Sequence, residues 1–218
     1  MVKTRIIKEL KCQFCGKELR QEVDSWVLGG KEICIKKIPE RCNCEQAKEY
    51  WKEQDEFERI KFLNKLEIER KKNMERLYTL SGMSPRLRNY NFENYIVDNE
   101  NKNAYAKAKK YVADLLAGKK PNSLFITGSI GTGKTHLAAS IANELIKNGH
   151  PVIFGTLINL LTEVKDSYNI DGEYESKIIN KYSKIGLLII DDLGKERPSE
   201  WTLEKLFTII NNRYENNL

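Results

Sequence analysis

The sequence predicts an α/β fold in which a parallel sheet is flanked by helices, and three observations support this fold. After residue 98, apolar runs of strand length alternate with amphipathic helical patterns, as they do in β-α-β units. A glycine-rich turn lies between the first apolar run and the helix that follows it. The third run, residues 186–190, is the most apolar in the chain, as expected of a strand buried on both faces.

The individual elements of this half follow from the spacing of its apolar residues. We predict strands over 123–127, 151–155 and 186–190, and helices over 104–116, 134–148, 157–168, 174–184 and 200–215. Parallel strands need long crossover connections, and the predicted helices have the length to supply them.

The first 44 residues have a different character, because they are rich in cysteine and lack helical periodicity. Residues 17–28 and 33–38 are predicted to be strands joined by a turn at Gly29-Gly30. So small a β-rich segment has too little apolar core to be stable alone, and we expect it to need a staple.

A long charged helix is predicted to follow over residues 45–80, which contain no Gly or Pro and are dense in Lys, Arg and Glu. Its sparse apolar positions leave three interpretations open: a solvated spacer, a helix that docks on a partner, or a weak coiled coil, which the poor heptad pattern does not favour. Residues 81–98 contain Gly82, Pro85 and several Asn, which predicts a linker to a domain spanning 99–218.

The glycine-rich turn fits the phosphate-binding P-loop pattern G-x-x-x-x-G-K-[ST]. The residues of this pattern are Gly128, Ser129, Ile130, Gly131, Thr132, Gly133, Lys134 and Thr135. Glycines let successive backbone N–H groups point at phosphate oxygens, and the N-terminus of the next helix adds positive potential. We expect Lys134 to contact the β- and γ-phosphates and Thr135 to bind Mg²⁺, so the predicted ligand is a nucleoside triphosphate, ATP, with magnesium.

Two carboxylates directly follow the third apolar run. The carboxyl ends of parallel strands are where open α/β sheets bind ligands. We therefore predict that Asp191 joins Thr135 in holding Mg²⁺ and that Asp192 orients or activates the attacking water. Lys134, Asp191 and Asp192 are the predicted catalytic residues.

Cysteine placement predicts a metal site. All five cysteines lie in the first 44 residues, as Cys12, Cys15, Cys34, Cys42 and Cys44. Two close pairs can present four thiolates to one tetrahedral ion, and we predict a structural Zn²⁺ on Cys12, Cys15, Cys42 and Cys44. Cys34 lies in an apolar strand, where small buried thiols are common. A site closed by four thiolates has no open position for catalysis, so it should hold a fold or a partner.

Charge and hydropathy bear on partners and location. The formal net charge of +6 is a mild argument for an acidic partner such as nucleic acid, although a Lys-rich source genome explains it equally well. No apolar run reaches the roughly 20 residues that span a bilayer, so we predict no membrane contact. Residues 1–10 lack the apolar stretch of a secretion signal, and we expect a cytoplasmic protein.

Taken in order, these motifs resemble those of bacterial and phage replicative helicase loaders of the DnaC/DnaI type. These are AAA+ P-loop NTPases related to the IstB-like ATP-binding proteins. The resemblance rests on the cysteine pairs, on residues 83–95 with their Phe-Glu-Asn-Tyr element, on 128–135, on 187–194, on Glu200-Trp201 and on 211–216. It covers nearly the whole chain.

The resemblance implies an ATP-binding loader whose zinc module, with or without the long helix, binds the replicative DNA helicase. It implies single-stranded DNA as a second ligand, nucleotide control of release, and assembly of AAA+ domains from several copies. DNA contacts would lie around Lys165, Tyr168, Lys177 and Lys181. For Phe92 and Tyr95, contact with adenine and ordinary packing both stay open. The alternatives are an IstB-like transposition helper and a zinc-stabilised adaptor that only binds nucleotide.

The chain also departs from the family pattern. The resemblance implies a fourth strand between the first and the third, then a fifth strand, an arginine finger and a helical lid, none of which follows residue 215. We therefore expect 99–218 to be a C-terminally truncated AAA+ domain with weak hydrolysis. Its strands would then leave apolar surface exposed at Leu124, Ile126, Leu188 and Ile190.

Overall fold

The computed structural model describes residues 3–28, 31–38, 40–166, 172–194 and 199–218. The chain divides into two units, Met1–Glu69 and Arg70–Leu218. The boundary falls within one long helix, α1 (Glu45–Ser81). The predicted turn at Gly29-Gly30 and the predicted DNA contact at Tyr168 lie outside the described residues.

The first unit contains a three-stranded antiparallel sheet. Its strands are β1 (Lys3–Lys11), β2 (Glu18–Leu28) and β3 (Lys31–Lys36), in the spatial order β1-β2-β3. The two predicted strands are thus present, and β1 is an addition to the prediction. Among the side chains that the structure describes, Leu19 and Val23 are buried apolar residues of this sheet. That the segment needs a staple stays a prediction.

The predicted charged helix is present as α1, which runs for 37 residues. Several of its large apolar side chains are exposed: Phe57, Ile60, Phe62, Leu63, Leu66 and Ile68. They lie on several sides of the helix rather than along one stripe, because their spacings do not keep to three or four residues.

The second unit alternates helices and strands, as the sequence predicts. After α1 come α2 (Pro85–Arg88), α3 (Lys102–Leu116), α4 (Lys134–Lys147), β4 (Val152–Thr156), α5 (Leu157–Asp166), α6 (Gly172–Lys184), β5 (Leu187–Asp191) and α7 (Glu200–Glu215). The five predicted helices correspond to α3, α4, α5, α6 and α7, and two of the three predicted strands to β4 and β5. None of the helices in the described ranges combines the length and the hydropathy of a membrane-spanning segment.

Strands β4 and β5 pair in parallel, with Val152 opposite Leu187 and Thr156 opposite Asp191. The predicted strand over 123–127 was wrong as a paired strand, because within the described part of the chain these residues form no ladder. A strand exists only where its backbone groups pair with a neighbour. This segment is held by side chains instead, since Leu124 and Ile126 pack against the core cluster around α4.

The expected exposure of apolar side chains near the sheet is only partial. Leu124, Ile126, Leu188 and Ile190 are all half-buried. Leu188 and Ile190 pack against a second cluster that contains Ile209 of α7. Phe125, in contrast, is 77% exposed.

Candidate nucleotide site and cysteine cluster

The P-loop turn has the backbone that its glycines allow. Gly131 and Gly133 have φ values of +83° and +80°, in the left-handed region that favours glycine. Gly133 is also the N-cap of α4, so the loop leads directly into a helix N-terminus. The unpaired N–H groups of the first helical turn and the helix dipole make this end favourable for a phosphate.

Lys134 folds back against the loop. Its Nζ donates a hydrogen bond of 2.6 Å to the Ser129 carbonyl oxygen. The Thr132 hydroxyl donates to the same oxygen at 2.9 Å. The positive charge of Lys134 is therefore held beside the backbone of the loop, where it suits a polyphosphate chain.

Thr135 and Asp191 meet although they lie far apart in sequence. The Thr135 hydroxyl donates to Asp191 Oδ1 at 3.2 Å. Thr135 is in the first turn of α4 and Asp191 is the last residue of β5. A hydroxyl and a carboxylate oxygen are the hard ligands that Mg²⁺ prefers, so the donor set fits the predicted magnesium.

Asp192 has a different environment from Asp191. Its side chain is exposed, and its φ of +57° is unusual for a residue other than glycine. Strain of this kind at the end of a strand often accompanies a functional site.

The segment before α3 lies against the P-loop, a contact that motif reading did not predict. Tyr95 is buried, and its hydroxyl donates to the Thr132 carbonyl oxygen at 3.4 Å. Burial raises the pKa of Tyr95, so the hydroxyl stays protonated and able to donate. His136, next to Thr135, bonds to Asn94 Oδ1 at 2.9 Å. Packing of Tyr95 was one of the two interpretations left open by the sequence, but no local pattern identified the P-loop as the surface that it contacts.

The four predicted zinc ligands lie together in the first unit. The sulfur atoms of Cys12, Cys15, Cys42 and Cys44 are all within 4.8 Å of one another. The Sγ–Sγ distances are 3.9 Å for Cys12 and Cys44 and 3.4 Å for Cys15 and Cys42. Tetrahedral zinc with bonds of about 2.3 Å would require sulfurs roughly 3.8 Å apart, so the cluster fits this ion.

Backbone hydrogen bonds favour the thiolate form of one cysteine of the cluster, Cys12. The N–H groups of Cys15 and Phe14 lower the pKa of Cys12 to about 7 by hydrogen bonding to its thiolate. Cys34 lies outside the cluster and is exposed, so the expected burial of its thiol was wrong.

Two of the predicted DNA-contact lysines make contacts within the fold. Lys181 forms an ion pair with Glu163 at 2.9 Å, and the Lys165 ammonium lies 4.9 Å from the centre of the Trp201 ring. These contacts tie together α5, α6 and α7. They neither exclude nor favour DNA.

Together, the loop, the helix N-terminus and the carboxylate at the end of a parallel strand define a P-loop nucleotide-binding protein of the α/β class. A family model described as IstB-like ATP binding protein matches residues 51–218, and this chain belongs to that family.

Curated relatives include helicase loaders. The chain is 36% identical over 141 residues to the replicative helicase loader DnaC of Escherichia coli K12, covering 64% of this chain and 57% of DnaC. It is 36% identical over 123 residues to the phage-like element PBSX protein XkdC of Bacillus subtilis, covering 53% of this chain and 45% of XkdC. The chain thus spans only about half the length of these relatives.

Solved structures of AAA+ proteins have the same fold. The structure of DnaA bound to AMPPCP and single-stranded DNA matches with a TM-score of 0.54 and 30% identity, covering 62% of this chain and 40% of DnaA. The crystal structure of DnaI matches with a TM-score of 0.52 and 27% identity, covering 63% of this chain and 72% of DnaI. The predicted resemblance and fold class are confirmed.

Proposed function

We propose that this chain is an ATP-binding helicase loader that engages the replicative DNA helicase through its N-terminal zinc unit and helps to place it on single-stranded DNA in the cytoplasm. The observation that carries the proposal is the Thr135–Asp191 pair beside the P-loop, in a chain 36% identical to the DnaC loader. The DnaA match supports ATP analogues and single-stranded DNA as the kinds of ligand to test.

In the nucleotide site, each residue has a proposed role. Residues 128–133 and the start of α4 bind phosphate oxygens through backbone N–H groups. Lys134 contacts the terminal phosphates, and Thr135 with Asp191 holds the cation. When bound, Mg²⁺ neutralises phosphate charge and orients the phosphates for transfer. Asp192, exposed beyond β5, orients the attacking water.

Replacing Asp191 with Asn should weaken ATP binding in a magnesium-dependent way. The substitution removes a negative ligand, so affinity in Mg²⁺ should fall roughly tenfold. Affinity in excess chelator should not change. Titration of a fluorescent ATP analogue with and without Mg²⁺ measures both values.

Asp166→Asn is the matched control, because Asp166 is an exposed aspartate at the end of α5. An Asp191→Asn variant that loses the same affinity in both conditions would show that Asp191 does not act through the cation.

The zinc unit supplies the proposed docking site for the helicase. Four thiolates leave zinc no open position, which suits a structural role. Three aromatic residues, Phe14, Tyr50 and Trp51, lie beside the cysteines. The ring centroids are 5.5 Å apart for Phe14 and Tyr50 and 5.2 Å apart for Tyr50 and Trp51. Aromatic side chains of this kind are frequent anchors of protein interfaces.

An IstB-like transposition helper is the second candidate, because the matched family model carries that description. It would share the nucleotide site and differ in partner. The cysteine cluster lies outside the matched residues 51–218, which favours a separate docking task and therefore the loader.

Capture of a replicative helicase by the full chain tests the proposal. The immobilised chain should retain the helicase of a bacterial host when zinc is bound and lose it after treatment with a zinc chelator. The Cys34→Ser variant, altered at an exposed cysteine outside the cluster, should capture normally. No capture by the zinc-loaded chain would favour the transposition helper.

A further inference from the structure

We propose that Tyr95 is a positioning residue for the nucleotide site: its ring supports the P-loop from beneath Gly133 and sets the affinity for phosphates without contacting the base. This inference rests on the proposed binding of ATP. It assigns a role to a residue that lies 33 positions before the first glycine of the loop.

The contact between ring and loop is close. A Cβ atom added to Gly133 would lie 3.0 Å from a ring carbon of Tyr95 and 3.1 Å from its hydroxyl oxygen. Gly133 is therefore required for two reasons, its left-handed backbone and the ring beneath it. The Tyr95 hydroxyl also reaches the Thr132 carbonyl oxygen at 3.4 Å. Tyr95 thus touches the two residues that directly precede Lys134.

The ring has little freedom to move. Only 8% of the Tyr95 surface is exposed. On one side it stacks on Tyr105, with centroids 5.7 Å apart and planes 23° from parallel. On another, it meets the edge of His136 at 5.1 Å. A ring confined in this way can transmit the position of its neighbours to the loop.

The segment that contains Tyr95 is held on α4 by hydrogen bonds of His136. His136 Nε2 lies 2.9 Å from Asn94 Oδ1 and 3.2 Å from the Asn91 carbonyl oxygen. Both partners are acceptors, so Nε2 is the protonated nitrogen that donates to them. Tyr90 stacks on the same imidazole at 4.3 Å.

A second set of hydrogen bonds to this segment lies two turns further along α4. The buried Asn143 donates through Nδ2 to the carbonyl oxygens of Leu87 and Tyr90, at 2.8 Å and 2.6 Å. The segment before α3 is therefore bound to the same helix whose N-terminus completes the P-loop. This segment contacts α4 through His136 and Asn143, and it contacts the P-loop through Tyr95.

These contacts should affect how tightly the P-loop binds phosphates. A P-loop that is already held in its binding conformation loses less conformational entropy when phosphate binds. Without the ring, Thr132 and Gly133 gain freedom that binding must remove. Because the loop binds the phosphates, the affinity for a ligand that lacks a base should change by the same factor as the affinity for ATP.

The test compares two ligands, ATP and inorganic tripolyphosphate, each with Mg²⁺, on the full chain. Tyr95→Leu should weaken both by the same factor, roughly tenfold. Tyr95→Phe keeps the ring and loses only the long hydrogen bond, so it should stay within about twofold of the original chain. Tyr111→Leu, altered at a partly buried tyrosine of the same core cluster, controls for general loosening of the core.

Asn94→Ala provides a second variant that leaves the core intact, because Asn94 is exposed. It removes the closest acceptor of His136 and should weaken both ligands by a smaller shared factor. A loss confined to ATP would mean that Tyr95 contacts the base and would overturn the proposal, as would unchanged affinity in both Tyr95→Leu and Asn94→Ala. Failure of the unaltered chain to bind ATP would instead refute the proposed function.

Discussion

A Lys134→Ala chain should lose ATP binding while its zinc content stays the same. The Lys134 ammonium is held at the loop by its 2.6 Å bond to Ser129, ready to contact phosphate. Charge-assisted bonds to phosphate contribute about 1.5–3 kcal/mol each, and a lysine makes more than one, so affinity should fall on the order of 100-fold or more. Isothermal titration with ATP and Mg²⁺ measures the loss, and metal analysis measures zinc.

Lys147→Ala is the matched control for this experiment. Lys147 is an exposed lysine in the last turn of the same helix, so its removal changes net charge equally but leaves the loop intact. Equal ATP affinity in the Lys134→Ala and original chains would refute the P-loop assignment.

The second large effect concerns the cysteine cluster. A Cys42→Ser chain should fail to hold zinc and should lose the folded structure of residues 1–44. Cys42 is only 4% exposed, and the described side chains form a small buried cluster of Cys42 with Cys12, Leu19 and Ala47. Structural zinc contributes about 10–16 kcal/mol in small domains, far more than so small a core can replace.

Amide hydrogen exchange measures this loss strand by strand. Protection should disappear from β2 and β3 in Cys42→Ser and persist in α4. A Cys34→Ser chain should behave like the original, because the Cys34 thiol is exposed and outside the cluster. Normal protection and zinc content in Cys42→Ser would show that these thiols do not ligate a metal.

Local patterns carried much of the fold prediction. The helices from α3 to α7 were predicted to within about two residues, because each combines an amphipathic period with a clear break at its ends. The P-loop was identifiable for the same reason, since its residues are contiguous. The cysteine set was also accessible, because a metal explains two close pairs in so small a segment.

Long-range contacts were not accessible in this way. The segment 123–127 has the composition of a strand, but a strand also needs a partner, and no local pattern reports one. The contact between Tyr95 and Gly133 joins positions far apart in sequence. The local sequence around a phenylalanine or tyrosine in a linker does not show whether the ring packs on a loop or contacts a base.

The contact between Asp191 and Thr135 is long-range, but it was partly predictable from the sequence. Each residue was predicted from its own motif, and their meeting followed from the rule that ligands bind at the carboxyl ends of parallel strands. The observed 3.2 Å between their oxygens agrees with that rule. Whether these residues hold magnesium stays a prediction.

Native mass spectrometry of the full chain with ATP, Mg²⁺ and Zn²⁺ tests the central claim most directly. We expect a complex that carries a single zinc ion and a single magnesium nucleotide, and we expect chelation of zinc to leave the nucleotide bound, since the two sites lie in separate units. A chain that binds no nucleotide under these conditions, or that carries no zinc, would contradict the account.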